Sequence, residues 1–152
     1  MDLTFLLNHA SHVLATQMSA AMSEIGLTPR GYCVLFHALQ AERTQIELAE
    51  ISDLDKTTMV VTVDDLERAG LAERRPSSAD RRARIIALTP AGERAVAQGT
   101  AVADRVHRDV FDALPAEQGM VLADALTRLV GGHLARPVES ARPVRRARQS
   151  RS

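Results

Sequence analysis

A single cysteine, Cys33, one tyrosine, three phenylalanines and no tryptophan stand in 152 residues. One cysteine excludes an intramolecular disulfide framework and a cysteine-based zinc cluster. Aromatic residues make up 3% of the chain, too few for the row of exposed rings on which single-stranded nucleic acids stack. No apolar run approaches the roughly 20 residues that span a bilayer, and the first residues lack a basic segment followed by an apolar stretch and a cleavage site. A soluble, cytoplasmic protein is expected. No nucleophile, base and orienting group stand together in a motif, and no glycine loop is built to cradle phosphate. Neither enzymatic activity nor a cofactor is expected. His9, His12, His37, His107 and His133 offer no HxxxH pair, so no metal site is expected either.

A formal net charge of zero conceals a segregated distribution. Residues 1–69 carry four Lys/Arg against ten Asp/Glu, a net of −6, whereas residues 70–90 carry five Arg against Glu73 and Asp80, a net of +3. Residues 91–134 return to −2, and the segment from Ala135 reaches +5. A local basic element on an acidic body is what groove binding by one protruding feature requires.

Apolar residues recur at helical spacing from Leu3 to Ile25, and Gly26 stops that helix. Thr28-Pro29 supplies a hydroxyl N-cap and a proline at N1 for a second helix ending near Ala41. Thr44 and Glu47 fit a capping box opening a short helix to Ile51. After the turn Ser52-Asp53-Leu54, Asp55 caps a helix running to about Ala69. On it Met59, Val63 and Leu66 share one face, while Thr57, Val61, Asp64 and Arg68 lie opposite. Lys56, Thr57 and Thr58 make its leading end cationic and hydroxylated, whereas Asp64, Asp65 and Glu67 make its trailing half acidic. Such a helix approaches DNA with its N-terminus, where the macrodipole also favours phosphate.

Leu71–Pro76 and Arg82–Leu88 read as strands of a hairpin, the second alternating Arg82, Arg84, Ile86, Leu88 against Ala83, Ile85, Ala87. Ser77 to Arg81 form its polar tip. Thr89-Pro90 repeats the cap-and-proline signal for a helix containing Val96, Val102, Val106, Val110 and Leu114, and Pro115 begins a last helix ended by Gly131-Gly132. The predicted fold is mainly α with a small β-hairpin wing (α+β): a winged helix-turn-helix, about 28–89, with helical dimerisation elements at about 1–26 and 90–132. Residues 1–134 are expected as one domain, and 135–152 as a disordered arginine-rich tail.

With these elements in order, the chain resembles the MarR family of transcriptional regulators. The matching residues are Leu27-Thr28-Pro29-Arg30-Gly31-Tyr32-Cys33-Val34-Leu35, Gln45-Ile46-Glu47-Leu48-Ala49, Leu54-Asp55-Lys56-Thr57-Thr58-Met59 and Asp65-Leu66-Glu67-Arg68-Ala69-Gly70-Leu71. Arg74-Arg75-Pro76, Asp80-Arg81-Arg82 and Leu88-Thr89-Pro90-Ala91-Gly92 complete the pattern. The resemblance implies a homodimer that places two winged lobes on successive major grooves about 34 Å apart, reading a palindromic operator in double-stranded DNA. It implies a ligand-responsive repressor, with a small, often aromatic, acid as effector.

DNA contacts are expected from Gln45, Lys56, Thr57, Thr58, Val61, Arg74, Arg75, Asp80, Arg81, Arg82 and Arg84. In family terms Asp80 orients Arg82 so that its guanidinium enters the minor groove. The resemblance also places His12, Tyr32, Phe36 and His37 at an effector pocket. One departure stands out. Relatives often carry arginine or another long polar residue where this chain has Val60 and Val61, and valine touches a thymine methyl but makes no bidentate bond to guanine. Specificity then shifts toward DNA shape and the wing, and modest sequence discrimination is expected. Two other readings are a winged-helix module that binds protein and a redox-responsive regulator acting through Cys33. The apolar setting of Cys33, between Tyr32 and Val34, favours core packing over reactivity.

Overall fold

The computed structural model describes residues 1–136 and Val138; the expected tail therefore lies almost wholly outside the described residues. Its elements are α1 (Leu3–Ser23), α2 (Pro29–Gln40), α3 (Gln45–Ile51), α4 (Lys56–Arg68), β1 (Ala72–Pro76), β2 (Arg84–Leu88), α5 (Pro90–Asp112) and α6 (Ala116–Val130). They form two compact units, Met1–Val110 and Phe111–Ser152. Among the described residues no helix is long and apolar enough to cross a membrane.

Local chemistry sets the element boundaries. The Thr28 hydroxyl accepts the Gly31 amide at 3.0 Å, with Pro29 in the first helical turn. The capping box at α3 is complete: Glu47 accepts the Thr44 amide at 2.7 Å and the Thr44 hydroxyl accepts the Glu47 amide at 3.3 Å. Asp55 caps α4 by accepting the Thr58 amide at 2.9 Å. Gly26 and Gly70 follow α1 and α4 at φ +72 and +69, the left-handed geometry that ends a helix at low cost only for glycine. Several expected boundaries shift, with β1 starting at Ala72 rather than Leu71. The first helix ends at Ser23 rather than Ile25, Leu114 falls beyond α5, and Arg82 lies in the turn before β2 rather than in the strand.

In the first unit Met22, Val34, Leu35, Leu48, Met59, Val63 and Ile86 are almost wholly buried, so α1, α2, α3, α4 and the hairpin share one core. Met59, Val63 and Leu66 face it as their spacing predicts. The hairpin is antiparallel, from Ala72 opposite Leu88 to Pro76 opposite Arg84. The strict alternation expected for β2 does not hold, since Ile85 and Ile86 are both buried. The reason lies on the outer edge of β2: the Ile86 amide donates to the Arg43 carbonyl at 3.1 Å, and Thr44 bridges Ile85. The segment that caps α3 is thus also a third edge of the sheet.

In the second unit α6 starts at Pro115 without a side-chain cap, and Gly119 packs against Phe111. Met120, Val121 and Val130 of α6 are exposed. On α1 in the first unit, Leu3, Phe5, Leu6 and Val13 are exposed as well.

Candidate nucleic-acid interface

The eleven residues expected at DNA divide into two groups. The Arg74 guanidinium donates to Glu67, to Asp64 at 2.7 Å and to Gln45 at 3.4 Å, while its own amide donates to Glu67 at 2.9 Å. Arg74 is therefore a brace that ties β1 to α3 and α4, and Gln45 is drawn into it. Arg75 pairs with Glu73 of the same strand. The Thr58 hydroxyl donates to the Asp55 carboxylate at 2.7 Å, so it belongs to the cap of α4. Lys56, Thr57, Val61, Arg81, Arg82 and Arg84 are exposed. Among the described residues, none of these six side chains makes an ion pair or side-chain hydrogen bond.

Asp80 reaches Arg82 through the backbone. Its carboxylate accepts the Arg82 backbone amide at 2.9 Å, and its carbonyl accepts the Ala83 amide at 2.9 Å. It fixes the turn from which Arg82 projects and makes no ion pair with the guanidinium. The cation is positioned through its backbone, and its charge is left uncancelled.

Glu42, absent from the residues singled out by sequence, holds the wing tip. Its carboxylate accepts the Ser77 hydroxyl at 3.0 Å, the Ser78 hydroxyl at 2.9 Å and the Ser78 amide at 3.1 Å. The Ser78 hydroxyl, then its amide, then the Ser77 hydroxyl hold the Glu42 carboxyl below its ordinary pKa. The Thr58 amide and hydroxyl do the same for Asp55, and the Thr44 amide and hydroxyl for Glu47. A depressed pKa stabilises the fold above the ordinary carboxylate value, and the contribution disappears as pH falls through the lower, folded value. Acid should therefore loosen the wing tip and the starts of α3 and α4. Amide exchange checks this: Ser78, Thr58 and Thr44 should lose protection below the ordinary carboxylate range, and Glu42→Gln should weaken Ser78 protection already at neutral pH. Unchanged protection of Ser78 in Glu42→Gln would show the clasp to be idle.

Of the expected effector residues, the Tyr32 and Phe36 rings meet at a tilt of 42° with 5.8 Å between centroids, and Phe36 meets His37 edge-on at 5.5 Å. The Tyr32 hydroxyl lies 3.1 Å from the Thr100 hydroxyl. His12 is exposed on α1. None of the four lines the cavity of about 740 Å³ that opens against α1, the start of α2 and the length of α4. Met18, Arg30, Thr57, Val61, Asp65 and Leu66 line it. Tyr32, Phe36 and His37 form an aromatic cluster, with the Tyr32 ring against Gly99. Cys33 is half-buried with its Sγ 3.6 Å from the Ser52 hydroxyl.

Residues 25–83, from just after α1 to the turn before β2, match the MarR family model. These residues belong to the MarR family. The fold of the chain agrees with solved MarR regulators. It matches CouR of Rhodococcus jostii, solved with p-coumaroyl-CoA, at a TM-score of 0.76 and 29% identity over 91% of this chain and 96% of that one. It matches a Mycobacterium tuberculosis MarR-family protein, solved with salicylic acid, at 0.71 and 28% over 85% and 96%. Apo MarR of E. coli matches at 0.74 with 21% identity over 86% and 98%, a likeness of fold. The MarR segment contains every residue of the free cationic group except Arg84, which follows it directly.

Proposed function

We propose that this chain is a homodimeric, sequence-specific regulator that binds double-stranded DNA, most simply as a ligand-responsive repressor on a palindromic operator in the cytoplasm. One observation carries the reading: Arg81, Arg82 and Arg84 are exposed, without an ion-pair partner among the described residues, on a hairpin that Arg74 fastens to α4. Cations left unpaired on a rigid support are suited to phosphate and to the negative potential of a narrow minor groove. The MarR match over residues 25–83 supports the same conclusion. Residues 1–134 act as one domain in this reading. The exposed apolar residues of α1, and separately those of α6, support burial against a second copy.

The relative solved with salicylic acid supports a small aromatic acid as effector, and the one solved with p-coumaroyl-CoA supports recognition of an aromatic acyl group. The α1/α2/α4 cavity is the place proposed for it, with Arg30 supplying a cation on its wall. Thr57 and Val61 belong both to that wall and to the proposed DNA face, so occupancy shifts the population competent for DNA.

The reading is tested by binding to duplex fragments flanking the chain's own gene, with sedimentation of the free protein. A dimer that protects a two-fold site against excess random duplex is expected. Failure to bind any fragment, with no salt dependence even on random DNA, would leave the protein-interaction module as the better account. Thr58→Ala should weaken binding less than loss of Arg82, because the Thr58 hydroxyl already serves Asp55. A larger loss from Thr58→Ala would reverse the order of the two elements.

A further inference from the structure

The leading half of α4 offers almost no polar group to a base edge. Thr57, Val60, Val61 and Asp64 share one stripe by their spacing of three, four and seven residues. Val60 is 42% and Val61 55% exposed, large apolar surfaces turned to water in the free protein. The polar side chains around them are committed elsewhere: Thr58 to Asp55, Gln45 and Asp64 to Arg74, and Arg68 to Asp65. Lys56 is uncommitted, but an ammonium binds phosphate as a point charge rather than reading a base pair by a two-pronged bond.

What distinguishes base pairs to an apolar side chain in the major groove is the thymine C5-methyl group. We infer that Val60 and Val61, with Thr57 beside them, select thymine at their positions in each half-site by contact with its methyl group. This inference rests on the DNA-binding reading above. It makes the two valines specificity residues and revises the expectation that specificity shifts to DNA shape and the wing: the wing supplies the grip and the helix the discrimination.

Deoxyuridine differs from thymidine only by that methyl and keeps the same base-pairing edge. The protected fragment should therefore be compared with the same fragment carrying deoxyuridine in place of thymidine, against wild type, a Val60→Ala/Val61→Ala variant and Arg82→Ala. Wild type should lose roughly fourfold in affinity for each contacted methyl, or about an order of magnitude over two half-sites. The double-valine variant should bind both fragments alike, and Arg82→Ala should bind both weakly while keeping the wild-type ratio between them.

Equal affinity of wild type for the two fragments would overturn the inference and leave DNA binding intact. So would a thymidine preference retained by the double-valine variant, since the methyl would then act through duplex shape. Absence of binding to either fragment and to random duplex would overturn the DNA-binding reading itself.

Discussion

Replacing Arg82 by alanine should lower operator affinity by about tenfold or more while leaving the fold and the dimer unchanged, since a specific arginine contact is worth about 1–3 kcal/mol and a dimer presents two. Arg82 is exposed, its amide is fixed by Asp80 at 2.9 Å, and its guanidinium has no internal partner among the described residues. Nothing that holds the hairpin together is lost with it. Arg74 provides the contrast. Its alanine variant removes a brace to Glu67 and Asp64, so it should lower thermal stability as well as DNA affinity. Fluorescence anisotropy on a labelled operator, paired with thermal melts, separates the two. If Arg82→Ala binds like wild type, the wing is not the grip; if Arg74→Ala loses affinity without stability, Arg74 touches DNA after all.

Gly92→Ala should cost about 3 kcal/mol or more, the upper end of what overpacking produces, or prevent folding. A Cβ at Gly92 would stand 2.0 Å from the Leu71 carbonyl oxygen and 3.0 Å from its carbon. That carbonyl cannot retreat easily: it accepts the Thr89 amide at 3.1 Å, and the Leu71 amide is itself bonded to the Leu66 carbonyl at 2.9 Å. The first turn of α5 therefore lies directly on the junction of α4 and β1, and glycine is what permits it. Gly99→Ala is the instructive comparison, because its Cβ would meet a ring atom of Tyr32 at 2.4 Å. A side chain can turn where a backbone carbonyl cannot, so the expected loss is smaller. Urea unfolding checks both, and equal costs would show that the Leu71 carbonyl yields.

The features legible in the sequence were those decided within a few residues. Thr28 with Pro29, Thr44 with Glu47, Asp55, and the two glycines at Gly26 and Gly70 each act across one helical turn, so spacing alone reveals them. The buried stripe of α4 follows from the same arithmetic. What escaped was decided by distant partners. Glu42 reaches Ser77 and Ser78 across α3, α4 and β1, and no local pattern distinguishes it from any other exposed glutamate. Arg74 and Arg82 look alike in an arginine-rich hairpin, yet only one of them finds carboxylates on α4. The double burial of Ile85 and Ile86 required knowing that Arg43 and Thr44 cover the edge of β2. The cavity lined by α1, α2 and α4 is made by the approach of separate helices, which spacing within any one of them does not disclose.

The central claim is that exposed wing cations, without an ion-pair partner among the described residues, on a braced hairpin give this chain its hold on duplex DNA. The most direct test is the salt dependence of operator affinity for wild type and Arg82→Ala. For wild type, the logarithm of the binding constant should fall linearly with the logarithm of salt, at a slope of about −0.9 for each phosphate neutralised. For Arg82→Ala, affinity should be lower at every salt concentration and the slope shallower. Coincident lines for the two proteins, or a wild-type affinity indifferent to salt, would contradict the account.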